Sequence, residues 1–320
     1  MTTSPPKTLV IGHRGASGYR PEHTRSAYLL AFEQGTDAVE PDVVASRDGV
    51  LVIRHENEIS GTTDVADHPE FAGRRTSKVI DGVRQTGWFT EDFTWDELST
   101  LRAIERLPQL RPASAEFDRT EPILRLRDLL TLVDEHAART GRTVRLVVEV
   151  KHASYFASIG LPLDELLAAE LGTAGRAGLV IESFEPAVLG QLRARGIRAE
   201  YVVLFDDADA SAALELNDLT ARVGNVDGIS VPKALLLAEP DLVAQAHARG
   251  LLVFVWTLRP ENRFLARLSR IGPDPAAWGD WQREFGEVIA SGVDGIFVDH
   301  PDLGIAARER QGPPVESATI

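Results

Sequence analysis

Residues 9–12 read Leu-Val-Ile-Gly, residues 24–34 read Thr-Arg-Ser-Ala-Tyr-Leu-Leu-Ala-Phe-Glu-Gln, and residues 38–44 read Ala-Val-Glu-Pro-Asp-Val-Val. The first run is apolar and too short for a helix. The second carries apolar residues at helical spacing and stops at Gly35, where a left-handed residue ends a helix cheaply. The third is again a strand candidate. Strand, helix, strand is the unit from which parallel sheets are built.

Outward from that unit the rhythm repeats. Further strand candidates are Val50–Arg54 close behind the second, then Arg145–Val150, Leu179–Ser183, Glu200–Leu204, Asp227–Val231, Leu251–Trp256 and Asp294–Val298. Helix candidates separate them over Asp128–Arg139, Leu163–Arg176, Pro186–Arg195, Pro240–Arg249 and Glu284–Ala290. Eight such units predict an α/β fold, a (β/α)8 TIM barrel, in preference to an open doubly wound sheet. Residues 57–120 break the rhythm: they are polar, carry Trp88 and Trp95, and hold few strand signals. They read as a small inserted subdomain after the second strand, at the rim of a barrel spanning residues 8–305. Residues 311–320, with Pro-Pro and no periodicity, read as a disordered tail.

The chain has 320 residues, 43% hydrophobic and 26% charged, which excludes a disordered or fibrous class. Its net charge of −14 argues against non-specific binding to nucleic acid or anionic membrane. With no Cys, disulfides, thiolate metal sites and cysteine nucleophiles are excluded. The first apolar run ends at Gly12-His13, too early for a secretory signal, and no run reaches the ~18 residues of a membrane span. The expectation is a cytoplasmic chain as it stands, secreted only if a leader has been removed, with no stable membrane insertion. The oligomeric state leaves no signal.

Active sites of such barrels lie where strands end. Strand one ends in His13-Arg14-Gly15 and strand two carries Glu40 and Asp42, with His55 soon after. Strand three ends in Glu149-Val150-Lys151, strand four in Ser183, strand six in Pro232-Lys233, strand seven in Trp256-Thr257 and strand eight in Asp299. Glu40 and Asp42, two apart, share a face, as do Glu149 and Lys151. Converging carboxylates repel, and a divalent cation resolves the conflict; oxygen-only ligands favour Ca2+ or Mg2+ over Zn2+. The competing reading neutralises them with Arg14 and Lys151 alone. His13 and His55 can supply one acid and one base near neutral pH. Arg14 and Lys151 offer a fork and a point charge for a phosphate. Trp256 offers a flat wall for a small carbon-bearing group, or simple packing. His68, His136, His247 and His300 read as structural.

The run His13-Arg14-Gly15-Ala16-Ser17-Gly18-Tyr19-Arg20-Pro21-Glu22-His23-Thr24 resembles the opening motif of glycerophosphodiester phosphodiesterases. The resemblance continues through Glu40-Pro41-Asp42, Asp48-Gly49, His55-Glu56 and Ser60-Gly61-Thr62-Thr63-Asp64-Val65. It reaches on through Glu149-Val150-Lys151, Ser183-Phe184, Trp256-Thr257, Glu261-Asn262 and Gly292-Val293-Asp294-Gly295 to Asp299. The long insertion resembles that of the periplasmic-type bacterial branch. The resemblance implies a TIM barrel, His13 and His55 as the acid–base pair, and Glu40, Asp42 and Glu149 as ligands of a divalent metal, Ca2+ first and Mg2+ as the alternative. It implies Arg14 and Lys151 as phosphate contacts and Trp256 on the glycerol side. Residues 121–127 depart from the family's Ile-Pro-Thr-Leu pattern.

The expected activity is metal-dependent hydrolysis of a small-molecule partner, a glycerophosphodiester, to sn-glycerol 3-phosphate and an alcohol. One alternative is a phospholipase C- or D-like barrel acting on intact lipid, for which the charged run Glu70, Arg74, Arg75, Lys78, Asp81 offers no apolar rim. Another is a non-catalytic phosphodiester-binding barrel, which the filled catalytic positions disfavour.

Overall fold

The computed structural model describes residues 7–172, 176–206 and 225–311. Its strands are β1 (Leu9–His13), β2 (Ala38–Glu40), β3 (Asp42–Ala45), β4 (Leu51–Ile53), β5 (Thr76–Ile80) and β6 (Val83–Gly87). They continue with β7 (Arg145–Val150), β8 (Val180–Ser183), β9 (Glu200–Leu204), β10 (Gly228–Pro232), β11 (Leu252–Leu258) and β12 (Gly295–Val298). β1 pairs in parallel with both β2 and β12, β2 pairs with β7, and β7 to β12 pair in sequence, so the sheet closes. β2 and β3 are one barrel stave interrupted at Pro41, which lacks a ladder N–H; its carbonyl still accepts from Glu149 N–H at 3.0 Å. Counted so, the barrel has the eight staves the sequence predicts, and the expected (β/α)8 TIM barrel is the fold.

Alternation along the staves sorts the side chains. Ile11, Ala38, Val147, Val180, Val202, Phe254 and Phe297 fill the barrel interior, while Val10, Val39, Val148, Ile181, Val203, Val253 and Ile296 face the helices. Above the interior layer, the same inward parity carries His13, Glu40, Glu149, Glu182 and Trp256 to the C-terminal mouth.

Helix Arg25–Gln34 begins where Thr24 accepts from Ala27 N–H and ends at Gly35 with φ 92°. Helix Leu126–Thr140 has Arg125 at its N-cap, and Asp128 in its first turn accepts from the Arg125 N–H at 3.3 Å. Helix Leu163–Leu171 stops at Gly172, and residues 173–175 of the longer helix expected there lie outside the described residues. So does the expected disordered tail, apart from Gln311, which ends helix Pro301–Gln311. Among the described residues no helix is long and apolar enough to cross a membrane.

Between β4 and helix Leu126–Thr140 the chain forms short helical turns and an antiparallel hairpin, β5–β6. The sequence reading found few strand signals here, yet Asp81-Gly82 at the tip has φ of 49° and 81°, the left-handed pair that a two-residue hairpin turn demands. Phe71, Trp88, Phe93, Leu98 and Leu101 of this stretch join the core that the barrel helices share.

Gly18 allows a close approach: a Cβ there would meet the His300 ring at 2.1 Å. His300 lies edge-on to Tyr19 and Trp278 and is buried. Burial first, then Arg111, lowers its pKa to about 3. The folded value lies below the unfolded one of about 6.5, so its contribution to stability is complete above pH ~6.5 and is lost as pH falls toward 3. Melting curves of wild type and His300→Phe across that window should diverge, with the Phe variant losing less stability by up to ~1.4 kcal/mol per pH unit. Parallel curves would show that His300 charges freely.

Candidate active site

β1 delivers His13 to the mouth, and the turn after it is built by left-handed residues, Arg14 at φ 57° and Gly15 at φ 86°. A side chain at Gly15 would meet the Ala27 backbone at 2.7 Å. The turn aims the Arg14 backbone N–H at Glu40 Oε2 (2.9 Å) and its guanidinium at Glu22 (2.9 Å) and Asp42 (3.3 Å). The Asp42 contact is a charge contact, since Arg14 Nε makes no aligned hydrogen bond.

Glu40, Asp42 and Glu149 converge, with one oxygen of each within 4.8 Å of the others, and all are buried. Lys151 Nζ holds Glu149 at 2.7 Å and stands 3.7 Å from Asp42. His23 Nε2 meets Asp42 Oδ2 at 2.9 Å, its other nitrogen resting on the Tyr28 hydroxyl at 2.8 Å. Glu40 Oε1 and Asp42 Oδ1 are buried without any hydrogen-bond partner. Burial, then the Asp42 and Glu149 charges, push Glu40 well above the usual carboxylate range. Burial and Asp42 bring Glu149 up to about 8 against the pull of Lys151. Asp42 goes the other way: burial opposes its charge, but His55, Lys151, His23 and Arg14 outweigh it. Unpaired buried oxygens on a hard, all-carboxylate donor set fit a divalent cation.

The two histidines line the same cavity of about 110 Å³, together with Trp256 and Phe184. His13 Nδ1 lies 2.6 Å from Asp299 Oδ1, and Asp299 Oδ2 accepts from Arg111 and Arg259, each at 2.6 Å. His55 Nδ1 lies 2.5 Å from Glu56, which Arg106 grips in turn at 2.6 and 3.0 Å. Lys151 Nζ donates to His55 Nε2 at 3.2 Å. An ammonium only donates, so that nitrogen is unprotonated and the ring carries its proton on Nδ1. Burial and Arg14 lower His13 to about 4; burial, Arg14 and Lys151 lower His55 to about 3.

Every singled-out site residue therefore reaches the mouth: His13, Arg14, Glu40, Asp42, His55, Glu149, Lys151 and Trp256. Of the other strand-end residues, Asp299 and Thr257 also reach it, but Ser183 and Lys233 do not. Ser183 turns outward and donates to Val150 O at 2.8 Å, and Lys233 pairs with the buried Glu284. The inward residue of β8 is Glu182, buried, with Oε2 unpartnered and its pKa pushed well above the usual range by burial, Glu149 and Asp42. Period-two parity with Glu149, its register partner, could have found it. Glu22, His23, Glu56, Arg106, Arg111 and Arg259 were not expected here. Among the remaining histidines, His68, His136 and His247 stand on Asp64 and Glu70, Phe32 and Asp294 respectively.

The model of the glycerophosphoryl diester phosphodiesterase family matches residues 13–303. Glycerophosphodiester phosphodiesterase GDPD6 of Arabidopsis thaliana is 30% identical over 93% of this chain and 85% of its own length. A probable glycerophosphodiester phosphodiesterase 1 of Mycobacterium tuberculosis is 30% identical over 78% of this chain and 81% of its own. Two solved structures share the fold. One is a putative glycerophosphoryl diester phosphodiesterase from Silicibacter pomeroyi (TM-score 0.70, 22% identity, 96% and 95% of the two chains). The other is a phosphodiesterase from Oleispira antarctica in complex with the product sn-glycerol-3-phosphate (TM-score 0.62, 20% identity, 95% and 97%). A match across nearly the whole chain, carried by the motif that builds this mouth, makes the protein a member of the glycerophosphodiester phosphodiesterase family of phosphoric diester hydrolases.

Proposed function

We propose that the chain hydrolyses sn-glycero-3-phospho-alcohols to glycerol 3-phosphate and the free alcohol, with His55 as base and His13 as acid. The observation that carries this reading is the pair of carboxylate-held rings on one cavity beside a cluster of carboxylates with orphaned oxygens. Glu40, Asp42 and Glu149 would hold a divalent ion, Ca2+ or Mg2+, which when bound supplies positive charge for the non-bridging phosphate oxygens.

The rest is chemistry of the chain itself. Arg14 faces the phosphate as a fork and Lys151 as a point charge. Once Lys151 turns to a phosphate oxygen, His55 Nε2 is free to take the proton of the attacking hydroxyl, which is water or the substrate's own glycerol 2-hydroxyl. Glu56 stabilises the imidazolium that forms. The anionic diester raises the proton affinity of His13, whose Nδ1 is held by Asp299, and its Nε2 delivers a proton to the departing alkoxide as the phosphorus–oxygen bond breaks. If the glycerol hydroxyl attacks, the product is a cyclic phosphate, and water opens it with the two rings exchanging roles. Trp256 and Phe184, ring centroids 6.1 Å apart, wall the cavity on the carbon side.

The test is release of glycerol 3-phosphate from a panel of glycerophosphodiesters, with and without chelator. No release from any member would sink the reading. The cavity is lined largely by ionisable groups, His13, Arg14, Glu40, His55, Glu149 and Arg259, and not by an apolar acyl-chain groove, so glycerophosphocholine should be cleaved faster than intact phosphatidylcholine in micelles. The comparison matters because Val79 and Val83, both exposed, flank a hairpin tip that meets the loop after β7 through Asp81 and His152. Faster cleavage of the intact lipid would promote the phospholipase alternative.

A further inference from the structure

Residues 105–111 form one tight turn, in which Leu110 and Arg111 donate backbone N–H groups to Leu107 O at 2.8 and 2.9 Å. Buried Glu105 pins it, accepting from Leu107 N–H at 2.8 Å and from Ser114 at 2.5 Å. Two arginines leave this turn in different directions. Arg106 reaches Glu56, the carboxylate against His55, and grips Glu22 with a second fork at 2.7 Å on both oxygens. Arg111, buried, reaches Asp299, the carboxylate against His13, and anchors on Glu261 at 2.7 Å and on Ser17 O at 3.1 Å.

We propose that Arg106 and Arg111 are positioning residues, and that through them the segment between β4 and helix Leu126–Thr140 sets the ring orientation of both histidines at once. The inference rests on the acid–base reading of His13 and His55. A carboxylate can orient an imidazole only if it is itself held, and the same turn gives Glu56 a two-point fork from Arg106 and Asp299 a single N–H from Arg111. The two supports differ in redundancy. Asp299 keeps Arg259 when Arg111 is lost. Among the hydrogen bonds of the described residues, Glu56 has no second arginine. Arg106 therefore matters more than Arg111, although Arg111 is the more deeply buried.

Arg106→Gln should lower kcat by about 10–100-fold with KM changed far less, the usual cost of removing an outer partner. Arg106→Lys should recover part of the loss, because one contact of the fork survives. Arg111→Gln should cost less, and a nitrophenyl diester, which needs no acid, should restore it but not Arg106→Gln. The downfield proton signals of the two histidine–carboxylate bonds report position directly. Arg106→Gln should shift or broaden the signal that vanishes in His55→Gln, and leave the one that vanishes in His13→Gln. Should Arg111→Gln fail to fold, Arg111→Lys takes its place. If the arginine variants keep both signals and wild-type kcat, losing only thermal stability, the proposal is overturned. If instead the His→Gln variants themselves keep turnover, it is the acid–base reading that fails.

Discussion

His55→Ala should lose about 10²–10⁴-fold in turnover, and His13→Ala about as much, with substrate affinity far less affected. The size is that of removing a positioned proton-transfer group, while Arg14 and Lys151, the proposed phosphate contacts, stay in place. The double variant should be barely worse than either single one, because the rings act as a unit and such losses do not add. The Lys151 ammonium points at His55 Nε2 and leaves that nitrogen unprotonated, so the roles are separable. A nitrophenyl diester, with its good leaving group, should rescue His13→Ala and not His55→Ala. Rescue in the opposite sense would exchange the roles. Near-wild-type turnover by both folded, metal-loaded variants would make the histidines structural.

The second large effect is expected at the carboxylate cluster. Exhaustive chelation should abolish turnover, and Ca2+ or Mg2+ should restore it. Glu40→Gln keeps the shape of the side chain and its acceptor for the Arg14 N–H, but removes a charged ligand. Metal affinity should fall by more than the roughly 10–100-fold that an outer-shell change costs. Thermal unfolding supplies a readout independent of activity. An ion that binds only the folded chain raises Tm, and that rise should shrink or vanish in Glu40→Gln while the chelated proteins melt alike. Full turnover in chelated enzyme would refute a metal requirement.

The barrel was legible because its staves are short apolar runs, β-branched and spaced by helices with Gly stops, a pattern no competing arrangement of this length satisfies as well. The carboxylate cluster and the two histidines were legible for a related reason: His13, Glu40 and Glu149 stand at or next to strand ends, where parity dictates direction, and Asp42 and His55 follow close behind. Errors came where parity or turn chemistry was not followed through. Ser183 does end strand four, but it is its neighbour Glu182, which the sequence reading does not single out, that shares the inward face of Glu149. The Asp81-Gly82 hairpin was overlooked inside a polar stretch. Arg106 and Arg111 were beyond reach for a different reason. Arginines in an irregular polar segment carry no periodicity, and Arg111 meets its partner Asp299 from 188 positions away. Only the closed fold brings that pair together.

That distance has a temporal meaning. His13 lies on the first stave of the barrel to be synthesised, and Asp299, 286 positions later, directly follows the last. Parallel closure of β1 against β12 is the step that unites them. Every shorter nascent chain therefore holds a His13 without its orienting carboxylate and a barrel without its seam. Non-local pairings of this kind form late, since loop closure costs entropy before contacts repay it. Phosphodiester cleavage should accordingly appear all at once during synthesis, with no weakly active, half-made enzyme before the final stave is in place.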